Sequence, residues 1–250
     1  MKKRAGAIVA ASILSLGAHA AELSVMSVGA VRSAFADATG RWEKASGNKV
    51  AATFNPAGDV RKKLAAGQTA DIVILPVESF AALEKDGAIV SGSVRDLGGV
   101  AMAAAVKKGA PVPDISTPDA LKRTLIDAKS VTYMDPERGT SGKHFDETVL
   151  PRLGVRDAVR AKAKLGEGGY IAEKVAQGEV EIAFHNITEI LPVEGVTIVG
   201  LLPAELQRAT IYSGAVMSSA KNPREAQALL DYLASPEGRK SFLERGFTAP

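Results

Sequence analysis

The chain has 250 residues, no cysteine and a formal charge of +3 from 31 basic and 28 acidic residues. Three of the basic residues lie in the first twenty positions, which leaves 28 residues of each sign and a net charge near zero for residues 21–250. This balance argues against nucleic acid or an anionic membrane surface as a partner. The lack of cysteine excludes disulfides, a thiol nucleophile and a thiolate metal site.

The first twenty residues have the pattern of a cleaved secretory signal. A basic segment at residues 2–4 precedes an apolar run from Ala5 to Leu16, and Ala18-His19-Ala20 matches an A-x-A cleavage site. The apolar run is shorter than the roughly 20 residues that a membrane-spanning helix needs. We therefore predict a signal peptide at residues 1–20 and a periplasmic mature chain that begins at Ala21.

The mature chain then alternates short apolar strands, glycine-rich or polar loops and amphipathic helices, which is typical of a doubly wound α/β fold. The first predicted pairs of strand and helix are 23–27 with 31–46, 49–54 with 59–66, and 71–75 with 77–85. An alanine- and valine-rich strand follows at 100–107, and the segment Lys108-Gly-Ala-Pro111 then interrupts the pattern.

A second set of units follows this break. Its predicted elements are a strand at 130–134 with a helix ending near Leu153, a strand at 161–165 with a helix at 170–177, strands at 180–184, 196–199 and 211–216, and a helix at 222–245 broken at Ser235-Pro236. We predict two doubly wound lobes joined by hinge strands. The first lobe comprises residues 21–103 plus 204–250, and the second is inserted at 104–203.

Small and polar residues concentrate at four predicted junctions between a strand and a helix, at 27–30, 55–58, 139–142 and 166–169. In doubly wound sheets, ligands bind at the carboxyl ends of strands, where such junctions lie. Helix N-termini there present unpaired N–H groups and partial positive charge. Two junctions from each lobe would face one cleft, which predicts a site for a small anion.

The segment Gly139-Thr-Ser-Gly142 allows two interpretations. Its glycines permit close backbone approach to a ligand, and the hydroxyls of Thr140 and Ser141 can donate to it. Alternatively, one hydroxyl caps the helix that Lys143 begins. The surrounding spacing fits neither a GxxxxGK[ST] phosphate loop nor a GxSxG nucleophile elbow. A secreted hydrolase that uses Ser141 with His144 or His185 is therefore disfavoured.

Four stretches resemble periplasmic substrate-binding proteins of ABC importers, most closely the molybdate-binding type. They are Ala21-Glu-Leu-Ser-Val25, Ala70-Asp-Ile-Val-Ile-Leu75, Asp135-Pro-Glu137 and the tail that runs from Leu230 to Phe247. The resemblance covers essentially the whole mature chain. It implies a type II periplasmic binding protein, whose two lobes close over a ligand like a Venus flytrap before docking on a membrane permease. A sensor subunit that docks on a receptor kinase stays open as an alternative.

The chain departs from the molybdate-binding pattern at three places. The resemblance implies oxyanion-binding serines near Ala30 and within the loop Asn55-Pro-Ala-Gly58, and a tyrosine near His185, but other residues stand there. Gly58, Ser141 and Gly169 can still supply N–H donors. The chain instead places charged side chains near the predicted cleft, among them Arg32, whose planar fork matches a carboxylate.

We therefore predict a monomeric receptor, without enzyme activity, for an organic di- or tricarboxylate, with molybdate or tungstate as the alternative ligand. The predicted ligand-binding residues are Ala30, Arg32, Asn55, Gly58, Thr140, Ser141, Gly142, Lys143, His144, Gly169, Tyr170 and His185. The charged and aromatic members of this set also have a structural interpretation, as solvated helix residues or satisfied core side chains. Two mature histidines without a nearby carboxylate predict no metal site, and we expect no cofactor.

Overall fold

A computed structural model describes residues 20–249 of the chain. Residues 1–19, which include most of the predicted signal peptide, lie outside this described part. Within it the strands are β1 Glu22–Val28, β2 Lys49–Asn55, β3 Ile72–Pro76, β4 Arg95–Val100, β5 Met102–Lys107, β6 Val131–Tyr133, β7 Ile182–Asn186, β8 Val196–Leu201 and β9 Thr210–Val216.

The helices of the described part surround these strands. They are α1 Arg32–Ser46, α2 Ala57–Ala65, α3 Phe80–Lys85, α4 Pro118–Asp127, α5 Thr140–His144, α6 Leu150–Leu153, α7 Arg156–Arg160, α8 Glu173–Ala176, α9 Ile187–Ile190, α10 Pro223–Ala234 and α11 Pro236–Glu244. A 3₁₀ turn at Gly29–Val31 leads into α1, and a π-helical segment at Phe145–Val149 joins α5 to α6. None of the helices in residues 20–249 is long and apolar enough to cross a bilayer.

The strands form two sheets, and the predicted α/β architecture is confirmed. One sheet has five strands in the order β2-β1-β3-β9-β4, and the other has four in the order β6-β7-β5-β8. In the five-stranded sheet β1 runs parallel to β2 and β3, whereas β9 runs antiparallel to β3 and β4. All five residues of the inner strand β3 are buried, which accounts for the continuous apolar run in the sequence there.

Each sheet has its own apolar core. Helix α1 packs on the five-stranded sheet through Ala34, Phe35, Ala38 and Trp42, which recur at the spacing of one helix face. On the four-stranded sheet the rings of Phe145 and Phe184 stack with their centroids 4.7 Å apart. Burial of apolar side chains therefore stabilises each sheet separately, as the prediction of two lobes requires.

The chain crosses between the sheets at two places in the described residues. Ala101 alone separates β4 from β5, and residues 202–209 separate β8 from β9. The first crossing therefore lies a little before the boundary predicted at 103/104. Movement of the two halves as lobes about these crossings stays a prediction.

Three predicted elements differ from the structure. Residues 161–165 form no strand, only isolated bridges such as that between Val131 and Ala163. The Ala-Lys alternation buries little apolar surface, and Lys162 Nζ donates instead to the carbonyls of Ile126 and Ala128. The strand predicted at 100–107 is split at Ala101, and β4 was missed because its two glycines have low strand propensity. The helix predicted at 170–177 shortens to 173–176.

Candidate functional site

A cleft lies where the carboxyl ends of β1 and β2 meet those of β6 and β7. Its cavity volume is about 40 Å³, which rises to about 410 Å³ when the space open to solvent is included. All four predicted junctions contribute to its walls, and so do residues from β7, α9 and β9. The lining residues are Val28, Gly29, Ala30, Arg32, Phe54, Asn55, Pro56, Ala57, Met134, Gly139, Thr140, Ser141, Gly169, His185, Asn186, Glu189 and Tyr212.

Seven of the twelve predicted ligand-binding residues line this cleft. They are Ala30, Arg32, Asn55, Thr140, Ser141, Gly169 and His185. Three helical segments also begin at its wall, at Gly29, Ala57 and Thr140, and the N–H groups of their first turns have no partners within their own helices. The structure thus brings together the parts from which the anion site was predicted.

Gly58 and Gly142 have packing roles outside the cleft lining. The N–H of Gly58 donates to the carbonyl of Arg138 at 2.8 Å, and this bond joins α2 to the loop after β6. A side chain on Gly58 would place its Cβ 2.8 Å from the Glu137 carbonyl oxygen. A Cβ added to Gly142 would lie 1.8 Å from the Met134 carbonyl oxygen, so this glycine allows α5 to pack closely on the end of β6.

Lys143 and His144 lie outside the cleft. Both line a separate cavity, which also contains the side chains of Arg61 and Arg208. Lys143 is exposed and lies 4.0 Å from Glu147, whereas His144 Nε2 lies 2.9 Å from the carbonyl oxygen of Leu206. These contacts correspond to the structural interpretation of the two residues, as a solvated helix side chain and a satisfied histidine.

Arg32 lies between two aromatic rings at the cleft. Its guanidinium carbon is 4.8 Å from the ring centroid of Phe54 and 5.9 Å from that of Tyr170. Tyr170 does not line the cleft itself but covers Arg32 from the other half of the molecule. No carboxylate in residues 20–249 forms an ion pair with Arg32. The guanidinium is therefore oriented by stacking, with its hydrogen-bonding fork free of an internal acid.

A cluster of buried polar side chains forms the wall of the cleft on the four-stranded half. His185 is 1% exposed, and Ser141, Asn186 and Glu189 are each 4% exposed. Ser141 Oγ lies 3.2 Å from His185 Nδ1, and Glu189 Oε2 lies 3.4 Å from His185 Nε2. The separation between His185 and Glu189 is short enough for an ion pair, but the alignment does not make a hydrogen bond.

Two atoms of this cluster have no hydrogen-bond partner among the described residues, namely His185 Nε2 and Asn186 Oδ1. The Asn186 amide nitrogen is satisfied, because it donates to Glu189 Oε2 at 2.9 Å and to the Tyr212 hydroxyl at 3.3 Å. Native proteins pair nearly all buried polar atoms, and an orphaned one costs about 1–3 kcal/mol. Unpaired atoms at the wall of a cleft indicate groups that a ligand completes.

Tyr212 reaches this cluster from β9 of the other sheet. Burial, and next the nearby Glu189 carboxylate, raise the pKa of Tyr212 well above its ordinary value, so the phenol stays protonated. No group of three or more His, Asp or Glu side chains within residues 20–249 converges in a way that could hold a metal ion.

Asn186, Glu189 and Tyr212 were missed by the sequence analysis. A signal for Glu189 was present, because it stands four residues after His185 across a junction between a strand and a helix. Because an anionic ligand was expected, basic side chains and hydrogen-bond donors were predicted at the site, and a carboxylate was not. Nothing local in the sequence connects Tyr212 with Asn186, since they meet only through the packing of the two sheets.

Comparison with known proteins places these features in context. The family description "bacterial extracellular solute-binding protein" matches residues 23–248. An aconitate isomerase from Pseudomonas sp. is 35% identical over 247 residues, covering 96% of this chain and 93% of that protein. The molybdate-binding protein ModA of Azotobacter vinelandii is 26% identical, covering 95% and 94%. A solved periplasmic molybdate-binding protein of that organism superimposes with a TM-score of 0.78 at 16% identity, covering 91% of this chain and 99% of that one.

Proposed function

This chain belongs to the family of bacterial extracellular solute-binding proteins, and from that premise we propose that its cleft binds a small organic tricarboxylate of the aconitate class. The resemblance to periplasmic substrate-binding proteins of the molybdate-binding type, and with it the type II fold, is confirmed. The choice of ligand rests on the side chains that this chain has at the cleft.

Arg32 is the observation that carries the proposal. Its guanidinium is held between Phe54 and Tyr170 and forms no ion pair with a carboxylate of residues 20–249. A planar guanidinium binds a carboxylate through two parallel hydrogen bonds, which a stacked geometry orients in advance. A second carboxylate of the ligand can accept from the hydroxyls and N–H groups of Thr140 and Ser141 across the cleft.

Glu189 argues against a compact oxyanion as the ligand. Its buried carboxylate lines the same cleft, and a molybdate dianion would have all of its charge within a few ångströms of it. An extended tricarboxylate can direct its charged ends toward Arg32 and the loop while its carbon chain faces the wall that contains Glu189. The two serines that the molybdate resemblance implies are also missing, near Ala30 and in the loop at Asn55.

Delivery to a membrane permease is the role that follows for a periplasmic binding protein of this family. The ligand contacts both halves only when they are closed, so its binding energy shifts the population toward the closed form that a permease of an ABC importer recognises. The predicted periplasmic location is in keeping with the molybdate-binding relatives. A receptor that signals instead of importing would use the same closure.

A second candidate function is isomerisation of the bound tricarboxylate. Two features favour it, the 35% identity to an aconitate isomerase and the buried pair of His185 and Glu189 at the cleft. Solute binding alone needs no titratable pair of this kind, whereas moving a double bond requires a proton acceptor. Binding and isomerisation share the same ligand and the same cleft, so the first candidate is tested first.

The test is a panel of ligands measured by thermal shift and titration calorimetry, with trans-aconitate, cis-aconitate, citrate, molybdate and sulfate. We expect an aconitate to bind most tightly. At 100 times Kd it should stabilise the protein by about 2.7 kcal/mol, which for a chain of this size raises Tm by about 5–10 °C. Stabilisation by molybdate, with none by any carboxylate, would overturn the proposal.

A further inference from the structure

We infer that His185 removes a proton from the carbon chain of the bound ligand and returns it, while Ser141 and Glu189 position its imidazole. This inference rests on the proposed binding of an unsaturated tricarboxylate. His185 is thus the catalytic residue, and Ser141 and Glu189 are positioning residues.

The step is a proton shift along three carbons. In an aconitate, a CH₂ group lies between a carboxylate and the double bond, and both neighbours stabilise the carbanion that forms when its proton leaves. The negative charge then spreads to the former vinyl carbon at the other end of the three-carbon unit. Return of the proton to that carbon moves the double bond and allows its geometry to change. One C–H bond breaks and another forms, so no oxidant, reductant or cofactor is needed.

Elimination among the ionisable groups that line the cleft leaves two proton acceptors. The guanidinium of Arg32 has five N–H donors and no acceptor, so it is not the proton acceptor. The raised pKa of Tyr212 means that its phenol does not ionise and cannot accept a proton as a phenolate. His185 and Glu189 remain, both buried at the wall formed by β7 and α9.

Glu189 is less suited than His185 to be the acceptor. Its Oε2 accepts from Asn186, and its Oε1 lies where a Cβ on Gly29 would be only 2.5 Å away, so both oxygens are confined. A neutral imidazole can approach a tricarboxylate without repulsion. Once protonated, it is attracted both to the ligand carbanion and to the Glu189 carboxylate at 3.4 Å.

The contacts of the imidazole allow the tautomer that can accept a proton at Nε2. When Nδ1–H donates to Ser141 Oγ, at 3.2 Å, Nε2 carries the free lone pair. That nitrogen is the atom of His185 with no hydrogen-bond partner among the described residues. Protonation of Nε2 then creates an N–H beside the Glu189 carboxylate. Proton transfer by a positioned imidazole contributes about 10²–10⁴-fold to a reaction rate.

The experiment follows deuterium incorporation into trans-aconitate in D₂O by NMR, with binding measured separately by calorimetry. The wild type should place deuterium at both ends of the three-carbon unit and produce the cis isomer. His185→Gln should lose at least about 100-fold in exchange rate, while its Kd stays within about tenfold. Glu189→Gln should exchange about tenfold more slowly and bind no more weakly, because a like charge is removed.

His144→Gln is the matched control, since this histidine lies outside the cleft and contacts Leu206. It should exchange at the wild-type rate. Ser141→Ala should slow exchange, and Ser141→Thr, which keeps the hydroxyl, should restore most of it. The melting temperature of each variant separates a folding defect from a chemical one.

The outcomes separate the two proposals. If no tricarboxylate binds, the proposed function fails. If trans-aconitate binds to the wild type but neither incorporates deuterium nor isomerises, the inference about His185 fails and the receptor function stands. If His185→Gln binds the ligand and exchanges at the wild-type rate, the base is another group and the assignment is overturned.

Discussion

The guanidinium of Arg138 lies 2.7 Å from Asp59 Oδ2, and this ion pair joins the loop after β6 to helix α2 of the other half. The adjacent bond from Gly58 N–H to the Arg138 carbonyl crosses at the same point. Neither contact is part of the cleft lining. If the two halves separate as predicted, both contacts are lost, so we expect them to contribute to ligand affinity without touching the ligand.

Asp59→Asn should therefore weaken ligand binding while leaving the cleft intact. Both partners are partly exposed, and such pairs contribute about 0.2–1 kcal/mol, so Kd should rise by no more than about fivefold. Titration calorimetry measures this change. Asp231→Asn is the control, because the pair of Arg95 and Asp231, at 2.8 Å, lies entirely within the five-stranded half. An equal loss of affinity in both variants would contradict the role of the Asp59 pair in closure.

Gly58→Ala should separate stability from affinity. Gly58 is the second residue of α2, where alanine is favoured by less than the roughly 1 kcal/mol of a helix interior, so the free energy of unfolding should change little. The added Cβ would lie 2.8 Å from the Glu137 carbonyl oxygen in this structure, so we expect the approach of α2 to the loop after β6, and with it ligand affinity, to suffer. Urea unfolding and calorimetry measure the two effects.

Gly40→Ala provides the comparison for this variant, because Gly40 lies in α1 and a Cβ there meets nothing within 4 Å. It should gain helix stability and keep the wild-type Kd. If Gly58→Ala binds ligand as tightly as Gly40→Ala does, the closed form does not require the approach of α2 to the loop after β6.

Arg32→Ala should lose about 2 kcal/mol of tricarboxylate affinity, close to 30-fold in Kd, because it removes a charge-assisted hydrogen bond. Arg32→Lys should recover only part of this loss, since an ammonium group lacks the planar fork. Arg224→Ala removes an exposed arginine on α10 and should leave Kd unchanged. Equal affinities for the wild type and Arg32→Ala would remove the main support for a carboxylate ligand.

Asp146 predicts how stability depends on pH. Burial alone would raise the pKa of Asp146, but hydrogen bonds from Arg160, Arg156 and Tyr133 outweigh it and lower the pKa to about 2. The pKa is depressed in the folded state, so the stabilisation is complete well above the ordinary value of 3.8 and is lost as pH falls toward 2. It amounts to about 2 kcal/mol at neutral pH.

Urea unfolding of the wild type and Asp146→Asn from pH 7 to pH 3 tests this dependence. The difference in unfolding free energy between the two proteins should fall by about 1 kcal/mol over that range. Asp157→Asn serves as a control on the exposed side of α7. A difference that stays constant with pH would mean that the Asp146 carboxylate is not the group that titrates.

The alternation of strands and helices could be predicted from the sequence because apolar residues recur at one spacing in buried strands and at another on buried helix faces. The segment 161–165 was wrongly predicted for the same reason, since Ala-Lys alternation imitates a strand without the apolar surface to pack one. Strand β4 was missed because Gly98 and Gly99 give no strand signal. Gly98 adopts φ of 144° at a register shift, where its backbone lies close to Thr248.

Residues of the candidate site could be predicted only where the order of strands in the sheet determines their position. The junctions at Ala30, Asn55 and Ser141 could be placed together because strand ends meet at one edge of a sheet. Lys143 was placed there wrongly by proximity in sequence, since two residues along a helix correspond to a rotation of about 200°. Tyr212 enters the site from β9, and its position depends on the packing of one sheet against the other.

Strand β9 lies between β3 and β4 in the five-stranded sheet, and β4 has no other strand as its neighbour. Residues 22–100 therefore lack the strand that completes their own sheet, whereas residues 102–201 contain every strand of theirs. The half encoded in the middle of the chain can finish folding before the half that was synthesised first. Until Thr210–Val216 is present, β3 and β4 lack the strand that lies between them, so we expect the half encoded in the middle of the chain to complete its sheet first.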